Sequence, residues 1–189
     1  MEQERADELM RSAWATRRAA FDADPVGKRE LLERARQDLS AAVAMCRDGG
    51  SPVSLAQAVH LLANVELDLE RVDRARSLWE EAIRILRGTD DVLQLAHKVR
   101  HLGDLHRHCG RLDDAEACYD EALALYREHD APGSLDLANA VRRMAALREL
   151  RGDAERARAL WRETRDLYAA VDLTAGVEEA ERHLERLTP

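Results

Sequence analysis

Residues 95–126, "LAHKVRHLGDLHRHCGRLDDAEACYDEALALY", decide the fold because their pattern occurs twice more in the chain. One copy stands forty residues earlier, at 55–86, and the other forty-two residues later, at 137–168. The shared positions are Ala56, Ala96 and Ala138, then Ala75, Ala115 and Ala157, then the aromatic residues Trp79, Tyr119 and Trp161. A repeat of this period is typical of an array of similar structural units.

Each copy has apolar residues at i, i+3, i+4 and i+7 in both of its halves, which predicts a pair of amphipathic helices. Gly110 and Gly152 stand between the halves and favour the left-handed conformation that ends a helix. The first copy has Glu70 at this position, so we expect a turn of different geometry there. Because one hairpin cannot bury both of its apolar stripes, we expect the hairpins to stack.

The resemblance to a known family rests on the alternation of small and large residues in the middle copy. The residues that carry it are Leu102, Gly103 and His106, then Ala115, Tyr119 and Ala122. This pattern resembles the tetratricopeptide repeat. The unit length is similar to the extended repeats of kinesin light chains and of many bacterial regulators. The resemblance implies an all-α fold, a right-handed superhelical solenoid of antiparallel helix hairpins with about nine helices.

We expect a single domain over 1–189. Its predicted parts are a divergent N-terminal hairpin at 3–50, repeats at 52–90, 91–132 and 134–172, and a capping helix at 174–187. Residues 129–134, "HDAPGS", predict a loop because they combine Pro, Gly and Asp. Terminal helices with a polar outer face are what repeat arrays need for solubility.

In the resembling family, the first helix of each hairpin lines a concave groove that binds peptides or partner helices. The matching positions, which we predict to bind a partner here, are His60, Asn64, His97, Arg100, His101, Asp104, His108, Asn139, Arg142 and Arg143. The centre of this set is basic, and arginine can bind a carboxylate through two parallel hydrogen bonds. An acidic or carboxylate-bearing peptide is therefore the expected ligand, unless these residues are only the solvated faces of helices.

A metal site is the alternative at the same place. His97 and His101 stand one helical turn apart, and Asp104 and His108 extend the stripe. Arg100 lies beside them in sequence and would oppose a cation. None of the three cysteines belongs to a CxxC pair. We therefore predict no metal and no cofactor, and we keep a metal-binding stripe as the alternative.

Other function classes lack a signal. The sequence has no nucleophile motif and no glycine-rich phosphate loop, so we expect no enzymatic activity. The net charge of -8 and the absence of a basic stripe with interleaved aromatics disfavour nucleic-acid binding. No apolar run approaches the roughly 20 residues of a membrane span. Three irregularly spaced cysteines and no apolar leader favour the cytoplasm, and the Arg- and Ala-rich usage hints at a bacterial source.

The sequence as a whole predicts a non-catalytic module that binds a protein or peptide partner in the groove. Two alternatives stay open beside metal-free peptide binding. The histidine stripe could hold a metal, or an exposed end hairpin could make the protein a self-associating scaffold. The oligomeric state is left open.

Overall fold

A computed structural model describes residues 2–129 and 134–187 of the chain. These described residues form nine helices and no strand, which confirms the expected all-α repeat fold. The helices are α1 (Glu2–Ala20), α2 (Pro25–Gly49), α3 (Pro52–Asp68), α4 (Val72–Leu86), α5 (Val92–His108), α6 (Leu112–His129), α7 (Leu135–Leu150), α8 (Ala154–Ala170) and α9 (Thr174–Arg186). Most of the predicted loop at 129–134 lies outside the described residues.

The chain divides into two compact units, Met1–Asp91 and Val92–Pro189, called unit 1 and unit 2 below. In unit 1, α1 packs on α2, α2 on α3 and α3 on α4. In unit 2, α5 packs on α6, α6 on α7, α7 on α8 and α8 on α9. Helices that follow one another in sequence thus pack on one another within each unit. The single-domain organisation over 1–189 stays a prediction.

Small and aromatic residues form the interior of each hairpin. The aligned residues Ala75, Ala115 and Ala157 are fully buried, and Trp79, Tyr119 and Trp161 are exposed by at most 2%. An alanine lets two helix backbones approach, and a ring then fills the remaining space. Helices α5 and α6 approach closely at Gly103, where a Cβ atom would lie 2.7 Å from the Tyr119 ring.

The α3–α4, α5–α6 and α7–α8 turns share one geometry, and the expectation of a different turn at Glu70 is wrong. Glu70 has a φ of 63°, beside 74° at Gly110 and 77° at Gly152. In each turn, the backbone N–H of the residue after the left-handed one donates to the carbonyl five residues before it. These bonds are Arg71 to Glu66 at 2.8 Å, Arg111 to His106 at 2.9 Å and Asp153 to Arg148 at 3.0 Å. The helix-ending hydrogen bonds therefore impose the left-handed conformation even where the residue is not glycine.

Candidate functional site

The predicted groove residues fall in both units. His60 and Asn64 lie on α3 of unit 1. The other eight lie in unit 2, with His97, Arg100, His101, Asp104 and His108 on α5 and Asn139, Arg142 and Arg143 on α7. Their membership of one continuous groove stays a prediction, and the geometry of each unit is described by itself.

In unit 1, His60 and Asn64 form a neutral pair that contacts Trp79. His60 is buried, with 4% of its surface exposed. Nε1 of Trp79 donates a hydrogen bond of 3.0 Å to Nδ1 of His60, while Nε2 lies 3.2 Å from the side-chain amide of Asn64. Since Nδ1 accepts a hydrogen bond, the proton of the neutral imidazole resides on Nε2, which donates to Asn64 when the carboxamide turns its oxygen toward the ring.

In unit 2, the carboxylate of Asp104 is the centre of a polar cluster. The Tyr119 hydroxyl donates to Oδ1 of Asp104 at 2.7 Å, and Nε of Arg143 lies 3.2 Å from the same oxygen. Nη1 of Arg100 lies 3.6 Å from Oδ2. The cluster joins three helices, because Tyr119 belongs to α6 and Arg143 to α7. Gly103, next to Asp104, brings α5 close to the Tyr119 ring.

Burial and charge set the ionisation of this cluster. Burial raises the pKa of Tyr119, and the negative charge of Asp104 raises it further, so the phenol stays protonated and donates. Burial lowers the pKa of Arg143, an effect that the Asp104 carboxylate opposes. The Tyr119 hydroxyl therefore donates to an Asp104 carboxylate that also lies beside two guanidinium groups.

A second acid–base contact lies beside this cluster. Nη1 of Arg142 on α7 lies 2.7 Å from Oε1 of Glu179 on α9. The Tyr168 hydroxyl donates to Oδ1 of Asn139 at 2.9 Å. We call the five charged residues Arg100, Asp104, Arg142, Arg143 and Glu179 the arginine face. It holds three guanidinium groups and two carboxylates, and so carries one excess positive charge.

His97 and His101 of the histidine stripe are neutral at ordinary pH. Burial, with a smaller contribution from the positive charge of Arg100, lowers the pKa of His97 to about 3 and that of His101 to about 2. The two rings meet edge to face with centroids 4.6 Å apart. His108 is exposed at the end of α5.

The stripe does not assemble a set of metal ligands by itself. In the part of the chain that the structure describes, no three ligand atoms from His97, His101, Asp104 and His108 lie within 4.8 Å of one another. Nη2 of Arg100 lies 3.2 Å from Nε2 of His101, where its charge would oppose a cation. Metal binding by this stripe stays an untested alternative.

The aligned aromatic residues have a second role that the sequence reasoning missed. Trp79 donates to His60, Tyr119 to Asp104, and Nε1 of Trp161 to Oε2 of Glu149 at 3.0 Å. In each hairpin the second helix thus donates a hydrogen bond to a polar side chain of the first helix. The available signal was that all three aromatic side chains carry a polar N–H or O–H.

Glu179 was also missed, because its contact with Arg142 depends on how α9 packs, and so was Tyr168, whose hydroxyl donates across the α7–α8 pair to Asn139. No described helix is long and apolar enough to span a membrane.

The all-α hairpin architecture with this repeat is that of a known class of helical repeat. The family model described as tetratricopeptide repeat matches residues 91–170. Residues 91–170 are therefore similar to tetratricopeptide repeats, and the fold of the described residues is that of TPR-like repeat structures. No curated protein matches its sequence.

Several solved structures are similar to this chain in fold. BtubC (BKLC) from P. vanneervenii is 18% identical, with a TM-score of 0.66, and the match covers 99% of this chain and 91% of that one. A putative kinesin light chain with nearly identical TPR-like repeats from Podosopora anserina is 15% identical, with a TM-score of 0.74 and coverage of 96% and 86%. Aspartyl phosphate phosphatase F from Bacillus subtilis is 14% identical, with a TM-score of 0.82 and coverage of 96% and 44%. At these identities the likeness shows the fold alone.

Proposed function

We propose that the arginine face binds an acidic peptide segment of a partner protein and catalyses no reaction. The observation that carries this proposal is the excess of guanidinium groups over carboxylates on neighbouring first helices of unit 2. Tetratricopeptide-repeat proteins bind protein partners, which supports the general class of function. The acidic character of the partner rests on the charges of this chain alone.

Two of the three arginines are accessible to a ligand. The side chains of Arg142 and Arg143 are exposed by 22% and 29%, whereas that of Arg100 is exposed by only 7%. Arg142 and Arg143 are therefore the residues that would bind the partner. Arg100 has a positioning role, since its buried guanidinium group contacts the Asp104 carboxylate.

The chemistry of these groups favours a carboxylate. Among the described residues, Glu179 is the only hydrogen-bonding partner of Arg142, and it contacts one nitrogen, Nη1. A guanidinium has five N–H donors in a planar arrangement that fits the two oxygens of a carboxylate. Asn139 lies one turn before Arg143 on α7 and adds an amide that can bond a peptide backbone.

A binding titration with defined peptides tests the proposal. Fluorescein-labelled peptides in which glutamate alternates with alanine or with leucine are titrated with protein at low salt, and anisotropy is measured. Peptides with glutamine in place of glutamate serve as ligand controls. We expect the glutamate peptides alone to bind, and the Arg142→Gln/Arg143→Gln variant to bind them about tenfold more weakly.

Arg156→Gln/Arg162→Gln is the matched protein control. Both arginines are exposed on α8 of the same unit, so this variant also removes two positive charges, but away from the arginine face. Equal binding of glutamate and glutamine peptides would contradict the proposal. So would a control variant that weakens binding as much as Arg142→Gln/Arg143→Gln does.

The predictions about localisation, source, metal binding and self-association remain proposals. We infer a cytoplasmic protein of bacterial origin that binds neither nucleic acid nor membrane. The alternative metal-binding function predicts zinc, nickel or iron in untagged protein that the His97→Ala/His101→Ala variant lacks, measured by elemental analysis. Self-association through an end hairpin predicts a mass above that of one chain in light scattering.

A further inference from the structure

We infer that Glu179 of α9 is an internal competitor that occupies Arg142 in place of the partner's carboxylate. The inference rests on the proposed function and adds a residue that sets the affinity of the same site. In this arrangement α9 both caps the apolar end of unit 2 and covers part of the arginine face. An acidic partner must displace Glu179 to bind Arg142.

The position of Glu179 follows from a close contact earlier in α9. A Cβ atom at Gly176 would lie 2.5 Å from Cδ2 of Tyr168, so α9 can approach the ring only because this residue is glycine. Glu179 follows three residues later, on the same face of the helix. Its carboxylate then reaches Arg142 at 2.7 Å.

Apolar packing holds α9 there independently of the ion pair. Ala180 is fully buried in a cluster with Ala145, Ala157 and Trp161, and Leu184 and Leu187 pack against it. His183 stacks on Trp161 with ring centroids 3.8 Å apart. The helix can therefore stay in place when Glu179 releases Arg142, because most of its contacts lie elsewhere.

The two carboxylates of the arginine face differ in how firmly they are held. Asp104 accepts a hydrogen bond from Tyr119 and contacts Arg100 and Arg143. Among the described residues, Glu179 has Arg142 as its single hydrogen-bonding partner, and its side chain is 32% exposed. Glu179 is thus the carboxylate that a ligand can replace, while Asp104 remains part of the site.

Competition of this kind lowers the apparent affinity without changing the intrinsic contacts. The measured dissociation constant is the intrinsic constant divided by the fraction of molecules whose Arg142 is free. Removing the Glu179 charge raises this fraction. We expect Glu179→Gln to bind the glutamate peptides about threefold more tightly than the wild type, as fits a partly exposed ion pair.

The experiment titrates the alternating glutamate–leucine peptide with wild-type protein, Glu179→Gln and Glu178→Gln. Glu178 is an exposed neighbour on α9, so its replacement makes the same change in net charge away from Arg142. Glu179→Asp keeps the charge on a side chain one methylene shorter and should bind with intermediate affinity. Far-UV circular dichroism melts confirm that every variant retains its helices.

The outcomes separate this inference from the proposed function. Tighter binding by Glu179→Gln but not by Glu178→Gln supports the competition. Equal affinities of wild type, Glu179→Gln and Glu178→Gln overturn it and leave the proposed function in place. Equal gains in the two glutamine variants also overturn it, because a general charge effect then explains them. Absence of binding by every protein, Glu179→Gln included, overturns both proposals.

Discussion

The hairpins α3–α4 and α5–α6 carry a neutral pair of side chains and a charged pair, respectively, at the same two positions of the repeat. His60 and Asn64 on α3 are aligned with Arg100 and Asp104 on α5. The first pair is neutral, and Trp79 donates to its histidine. The second pair is charged, and Tyr119 donates to its aspartate.

This difference shows how one framework supports two surfaces. The buried alanines and aromatic rings recur in both hairpins, and each ring donates a hydrogen bond to the first helix. What changes between repeats is which polar side chain accepts that bond. The buried alanines and aromatic rings specify the fold. The polar side chains of the first helix, which accept the hydrogen bonds from these rings, specify what the surface can bind.

The largest expected effect comes from removing the charge of the Asp104 acceptor. Asp104→Asn leaves the buried Arg100 without its carboxylate and weakens the bond to Tyr119, so we expect a loss of about 2 kcal/mol of unfolding free energy. The reciprocal change on α3, Asn64→Asp, adds a charge beside a neutral imidazole and should cost less than about 1 kcal/mol. Urea denaturation followed by circular dichroism measures both. Equal losses would mean that the two hairpins do not differ in the way described.

A second effect depends on pH and concerns histidines that α3 lacks. Gln57 and Leu61 stand on α3 where α5 has His97 and His101. Burial lowers the pKa of His101 from its ordinary value to about 2. The unfolded chain therefore takes up a proton at His101 below about pH 6.5 and the folded chain does not, so stability falls as the pH drops.

The variant His101→Gln should lose about 2 kcal/mol less unfolding free energy than the wild type between pH 7 and pH 5. Urea denaturation at the two pH values gives the comparison. His108→Gln, at the exposed end of α5, is the control. The account is wrong about His101 if wild type and His101→Gln lose the same stability.

The smallest effect concerns the turns, where the two hairpins share geometry but differ in sequence. Glu70 adopts the left-handed conformation that Gly110 adopts in the next hairpin. Glu70→Gly should stabilise the protein by about 1 kcal/mol because glycine has no steric penalty there, and Gly110→Ala should destabilise it by a similar amount. Thermal melts of the two variants measure this. Destabilisation by Glu70→Gly would show that the Glu70 side chain contributes more than its backbone costs.

The sequence predicted the parts of this fold that local chemistry determines. The periodic apolar residues gave the helices and their pairing, and Gly110 and Gly152 marked two turns. Glu70 was misjudged because residue type indicates only a preference for the left-handed conformation, whereas the helix-ending hydrogen bonds impose it. The expected basic face was identified from Arg100, Arg142 and Arg143, and its role as a binding site stays a prediction.

The rest of the candidate site could not be predicted, because it depends on distances between helices. Nothing in the spacing of Asp104 and Tyr119 indicates which polar group accepts the phenol hydrogen bond. The contact of Arg142 with Glu179 requires the close approach of α9 to Tyr168, which Gly176 allows. The sequence position of a single glycine in a helix does not indicate which aromatic ring packs against it.

A charge-swap titration tests the central claim most directly. In the variant Arg142→Glu/Glu179→Gln the ligand-binding charge is reversed, and the glutamine avoids repulsion between two neighbouring carboxylates. The peptides are the glutamate–leucine ligand and its lysine–leucine counterpart. We predict that the variant loses affinity for the glutamate peptide and gains affinity for the lysine peptide, while the wild type shows the opposite preference. A folded variant with the same preference as the wild type would contradict the claim that Arg142 selects the charge of the partner.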